Sequence, residues 1–167
     1  SLQPAHSEMR LYPKEVRVPE VAAQIDDYLQ RFSQLEIEDP LYTEAEDNGW
    51  LTRANAIPFN ATAYAFLDSR GDRDVYVGEA LASGETVTLI WHRVGRTNLT
   101  PAVRLYDENG VQMSVFTPRS WLRYDYTLPK GQHRFYLEVA DRFGYLKVDT
   151  GGYLSLHYLF KVQRKGP

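Results

Sequence analysis

Between residues 62 and 162, strand-forming segments follow one another with no helical periodicity between them, and this constrains the chain more than any other feature. The segments are "TAYAFL" (62–67), "DVYVGEAL" (74–81), "ETVTLIWH" (85–92), "AVRLYD" (102–107), "VQMSVF" (111–116), "WLRYDYTL" (121–128), "HRFYLEVA" (133–140) and "YLSLHYLFKV" (153–162). They are rich in β-branched and aromatic residues, which suit a pleated, half-buried surface. Asn109-Gly110, Pro129-Lys130-Gly131 and Gly151-Gly152 supply turns between them. In the third segment Val87, Leu89 and Trp91 fall on one face, and Thr86, Thr88 and Ile90 on the other. In the seventh, Phe135, Leu137 and Val139 point inward, with His133 placed on the same face. Eight such strands with short turns predict an all-β, antiparallel, jelly-roll-like sandwich; parallel βαβ units need crossovers that this stretch does not supply.

The N-terminal third reads differently. Residues 1–18 lack a period and contain Pro4 and Pro13, which predicts an extended or disordered arm. From Pro19, the residues Val21, Ile25, Tyr28, Leu29, Phe32 and Leu35 recur at helical spacing, so an amphipathic helix is expected over 19–35. Its apolar stripe would pack either on the sheet of its own domain or on a partner subunit. Residues 36–167 form the β domain.

Several function classes drop away at this level. A net charge of −3 lacks the concentrated basic surface that nucleic-acid binding needs. No run of about 18 apolar residues exists to span a membrane as a helix. The chain has no cysteine, which removes disulfides, zinc–thiolate sites and cysteine nucleophiles. There is no G-x-S-x-G elbow, and His6, His92, His133 and His157 lack the spacing of a helical metal site. A non-catalytic protein is expected.

The order of motifs over residues 43–162 resembles the bacterial pre-peptidase C-terminal domain, a β-sandwich appended to secreted proteases and related to the collagen-binding domains of collagenases. The resemblance rests on "EAEDNG" (44–49) followed by Ala54-Asn55, on "GDRDVY" (71–76), on "ASGETVTLIW", on "VRLYDENGVQ" and on "KGQHRFYLEV". Gly49 stands where an aspartate is usual. The resemblance implies an accessory binding or targeting module of a secreted or cell-envelope bacterial protein, extracellular or periplasmic, whose partner is a polysaccharide or protein polymer. It also implies a calcium site formed by Glu44, Glu46, Asn48, Asp72 and Asp74, a set of hard oxygen donors that suits Ca²⁺. Two other readings of the same cluster stand beside it: a solvated loop, or carboxylates paired with Arg53, Arg70 and Arg73.

For ligand contact the sequence offers "WLRYDY", with Trp121, Arg123, Tyr124 and Tyr126 as candidates for stacking and hydrogen bonding. Alternation puts Trp121, Arg123 and Asp125 on one face and Leu122, Tyr124 and Tyr126 on the other. The alternative function is a structural or assembly protein whose helix docks on a partner subunit.

Overall fold

The computed structural model describes residues 7–11, 42–43, 48–67, 71–92, 97–118, 122–143 and 156–165. The expected helix over 19–35, the turn at Gly151-Gly152, and Glu44, Glu46, Arg70 and Trp121 lie outside the described residues.

All eight sequence segments form strands: β5 (Thr62–Phe66), β6 (Arg73–Gly78), β7 (Thr86–His92), β8 (Pro101–Tyr106), β9 (Gln112–Phe116), β10 (Leu122–Thr127), β11 (Phe135–Asp141) and β12 (His157–Arg164). Four two-residue strands precede them: β1 (Ser7–Glu8), β2 (Arg10–Leu11), β3 (Tyr42–Thr43) and β4 (Asn55–Ala56). They build two six-stranded sheets, ordered β1-β4-β6-β11-β8-β9 and β10-β7-β12-β5-β3-β2. Along the eight long strands the chain changes sheet at every connection except the β8–β9 hairpin. The resulting orders, β5-β12-β7-β10 facing β6-β11-β8-β9, are those of two nested Greek keys, the jelly-roll arrangement.

The sandwich is not purely antiparallel. The pairs β1–β4, β4–β6 and β3–β5 are parallel. The missing crossover is supplied by the opposite sheet: between β4 and β6 the chain runs through β5, so a parallel pair forms without a helix. The extended N-terminal stretch switches sheets at Met9, whose side chain is buried in the common core between β1 and β2.

The inner faces meet as alternation predicts. Val87, Leu89 and Trp91 of β7, Val103 and Leu105 of β8, Phe135, Leu137 and Val139 of β11, and Tyr158, Phe160 and Val162 of β12 share one hydrophobic core. Tyr76 of β6 crosses to Phe160 at 4.9 Å between ring centroids, and Trp91 stacks on Tyr158 at 5.4 Å. The Tyr76 hydroxyl is hydrogen-bonded to that of Tyr158, which in turn donates to Asp74 Oδ2 at 2.5 Å. Tyr76 and Tyr158 thus carry their core hydroxyls as a connected polar chain that ends on Asp74, since a buried donor left unpaired is costly.

The outward side of the second sheet is buried as well: Thr62, Ile90, His92, Leu159 and Lys161 are each at most 1% exposed. His133 departs from expectation. β11 begins at Phe135, two residues later than the sequence segment, so alternation does not reach His133; it is exposed, with Nδ1 3.0 Å from the Leu81 carbonyl oxygen.

Three turns gather at one end. Asp107 accepts from the Asn109 and Val111 N–H groups at 2.9 Å each, which shapes the β8–β9 hairpin, and Gly110 takes the positive φ of 80° that the turn requires. Gln132 Nε2 donates to Asp107 Oδ2 and its Oε1 accepts the Glu108 N–H, tying this hairpin to the β10–β11 turn. Ser83 Oγ accepts the Gly131 N–H at 2.7 Å, which joins the third turn to the others.

Candidate functional site

The outer face of the first sheet carries a groove among the described residues. Register places its outward side chains in three rows. Tyr106, Tyr136 and Val77 form one, Arg104, Glu138 and Val75 the next, and Ala102, Ala140 and Arg73 the third. The short 3₁₀ turn Leu51–Arg53 with Ala54 and Ala56 covers Val75, Val77 and Tyr136 in a second small core. The third row lies outside that small core: Arg73 is exposed, and the two alanines are 6% and 9% exposed. Its two alanines carry no side chain beyond Cβ, so the surface sinks there into a groove of about 370 Å³. Gly71, Asp72 and Arg73 border it on one side, Arg104, Tyr106 and Glu138 line it towards one end of the strands, and Asp141 and Arg142 line it towards the other.

Glu138 organises the groove. It lies on β11, between β8 and β6, with only 9% of its side chain exposed. Its Oε1 accepts from Arg104 Nη1 at 3.1 Å, and Oε2 lies 3.9 Å from Arg73 Nη1. A desolvated carboxylate needs such partners, because burying it alone costs several kcal/mol. Burial first, and then the negative charge of Glu138, raises the Tyr106 hydroxyl above its ordinary pKa, so Tyr106 stays a neutral donor at the groove's end. Asp141 is buried, and its Oδ1 accepts the Phe143 N–H at 2.7 Å. Arg142 is exposed and extends over the Phe143 ring, 5.9 Å from its centroid.

The five residues named for calcium are only partly placed. Asn48 and Asp74 are both fully buried, and the Asn48 carbonyl accepts the Val75 N–H at 2.8 Å, so the opening segment runs beside the start of β6. Asn48 Nδ2 donates to Asn55 Oδ1 at 3.0 Å. Asp74 turns inward to Tyr158, whereas Asp72 is half-exposed at the groove rim, its Oδ1 accepting the Arg73 N–H at 2.8 Å. Glu44 and Glu46 lie outside the described residues, and among the described residues no three carboxylates or histidines converge.

The aromatic set divides across the second sheet's β10. Tyr126 is buried in the core, 5.9 Å and nearly edge-on to Phe135. Tyr124 packs its ring 4.6 Å from Phe116, with its hydroxyl 3.2 Å from Ser114 Oγ. Both point between the sheets, as alternation has them, and Tyr126 presents no face to a ligand. Arg123 lies on the opposite side, in the row of Asp125, which binds Thr88 Oγ1 at 2.7 Å and Lys165 Nζ at 2.8 Å. Apart from Asp72 and Arg73, named with the acidic cluster, the groove residues escaped the sequence reading. Their only trace there is a charged residue at an outward position of an otherwise apolar strand, as in "AVRLYD" and "FYLEVA". That β11 lies between β6 and β8 is a fact of topology, invisible in the string.

The molecule is thus a two-sheet β-sandwich with a shallow, arginine-lined groove on one outer face, and no helix among the described residues is long and apolar enough to cross a membrane. Neither a family model nor a curated protein matches the sequence. Among solved structures the chain is similar to the pre-peptidase C-terminal domain of collagenase from Bacillus anthracis, with 16% identity and a TM-score of 0.44 over 68% of this chain and 95% of that one.

Proposed function

We propose that this chain is a non-catalytic accessory module that holds a polymer on the outer face of its first sheet. The observation that carries the reading is the groove over Ala102 and Ala140, which is open along one face and ringed by hydrogen-bonding side chains. Small-molecule sites are typically concave and enclose most of the ligand; a shallow trough on a rigid sheet suits a chain that continues beyond it at both ends. The motif order from Glu44 to Val139 supports the same reading, and with it a place in a secreted or cell-envelope bacterial protein. The test is retention on a panel of insoluble polysaccharides and collagen, comparing the protein with Ala140→Trp, which fills the groove from its floor. At least one polymer should retain the wild type and release the variant. Equal retention of both on every polymer contradicts the reading.

Calcium belongs to the same proposal. Asn48, whose carbonyl accepts the Val75 N–H where the opening segment meets β6, and Asp74 are both buried oxygen donors, and with Glu44, Glu46 and Asp72 they would make a donor set of the kind calcium takes. The ion would tie the opening segment to the sandwich. A ligand bound only by the folded state stabilises it by about 2.7 kcal/mol at a hundredfold excess over its Kd. At roughly 2–4 °C per kcal/mol for a chain of this size, the melting temperature should rise by several degrees in calcium over chelator. Glu46→Ala and Asp72→Asn should abolish that rise, and an unchanged melting temperature in the wild type removes calcium from the account.

A further inference from the structure

The hydrogen-bonding balance of the groove identifies the chemistry of its ligand. Three guanidinium groups face it, from Arg73, Arg104 and Arg142, together with three carboxylates, from Asp72, Glu138 and Asp141. Formal charge cancels, but hydrogen-bonding capacity does not. Asp72 caps the Arg73 N–H, Asp141 is buried on the Phe143 N–H, and Glu138 is pinned beneath two arginines. Glu138 and Asp141 are buried, and only Asp72 is half-exposed, at the rim. Each guanidinium carries five N–H donors. Arg104 spends one on Glu138 at 3.1 Å, Arg73 reaches Glu138 only at 3.9 Å, and Arg142 lies over an aromatic ring. Arg73 is 62% exposed at the side chain. The groove therefore offers a surplus of planar, forked donors and few open acceptors, which is the complement of a carboxylate.

The position of the groove selects the kind of chain that bears the carboxylate. An extended peptide binds best at a sheet edge, where its own N–H and C=O groups find partners. On a sheet face the backbone is spent on neighbouring strands, and a peptide's amides would be left without them. A sugar chain has no such requirement. Ala102 and Ala140, paired in register and 6% and 9% exposed, give the floor a small apolar contact for the less polar face of a pyranose ring, with Tyr106 beside it. Building on the binding reading above, the geometry points to a uronate-bearing polysaccharide as the ligand, its carboxylates forked by Arg73 and Arg142 and its ring resting on the two alanines.

The experiment is calorimetric titration of the protein with oligogalacturonate, with its methyl ester and with poly-glutamate as companions. Oligogalacturonate should bind, with an affinity that falls as salt rises and screens the exposed arginines. Arg73→Gln and Arg142→Gln, both at exposed positions that leave the core intact, should each weaken binding about tenfold, as expected for loss of a charge-assisted hydrogen bond. The methyl ester and poly-glutamate should bind far more weakly. No binding of oligogalacturonate, equal binding of its ester, stronger binding of poly-glutamate, or unaltered affinity in both variants overturns the inference. A neutral polymer released by Ala140→Trp but indifferent to the arginine changes would keep the groove as the binding face while excluding uronate. Failure of every polymer to respond to Ala140→Trp would remove both.

Discussion

At the scale of single residues, two positions report on the fold. His92 is buried on the outward side of the second sheet, and burial, aided by the nearby Lys161 charge, lowers its pKa to about 4. The unfolded chain takes up that proton near the ordinary value of about 6.5. Between those values the unfolded state binds more protons, so the stability is fully present above about pH 6.5 and is lost as pH falls towards 4, on the order of 3 kcal/mol in all. Denaturant midpoints measured across this range should fall for the wild type and flatten for His92→Leu. Glu85 follows at lower pH: the hydrogen-bonded Arg164 guanidinium holds its carboxyl below the ordinary value, so its contribution is present above that value and disappears as pH falls through the lowered one. The second position is Gly78, paired in register with Phe135, where an added Cβ would lie 2.3 Å from Phe135 Cε1. Gly78→Ala should cost about 1–3 kcal/mol by overpacking. Combined with Phe135→Leu the losses should sum to less than the two singles, since the clash and the ring are one interaction. A full additive loss in chemical denaturation would show that the ring does not close over the glycine. The sequence marks "VYVG" as strand but gives no sign that the glycine is required by a ring across the ladder.

At the scale of elements, the sequence was most legible where alternation is strong. Val87, Leu89 and Trp91 announce their face, and Asn109-Gly110 announces its hairpin, because both signals are local. The parallel pairs were not legible: β3 and β4 are two residues long, too short to show a period, and their partners are far along the chain. The groove was not legible for the same reason, since Arg104, Glu138 and Arg73 come together only through sheet order. β9 carries a further device. Among the described residues it has a neighbour on one side only, and Val111, Met113 and Val115 leave apolar side chains about half exposed at or beside it. The β8–β9 ladder shifts between Leu105 and Tyr106, so that Met113 is the extra residue of a bulge. Bulges kink an edge strand and discourage pairing with other chains. Deleting Met113 should straighten β9 and produce concentration-dependent self-association in sedimentation velocity, stronger than any shown by the wild type. A deletion variant that stays as dispersed as the wild type would show that the bulge does not guard this edge.

At the scale of the whole molecule, the sandwich is a rigid platform. Two sheets with a continuous aromatic core hold the outer face of β6, β11 and β8 fixed, and the proposed binding groove lies on that face rather than in the interior. Preformed surfaces of this kind need little reorganisation to bind, so ligand contact should perturb a compact patch and leave the core untouched. Amide chemical-shift mapping during titration with the polymer selected by the retention panel tests this most directly. The account predicts that the largest shifts fall on residues 71–73, 102–106 and 138–142, with β10 and the buried tyrosines unmoved. Shifts centred instead on Arg123 and the outer face of β10, with residues 102–106 and 138–142 silent, would contradict it.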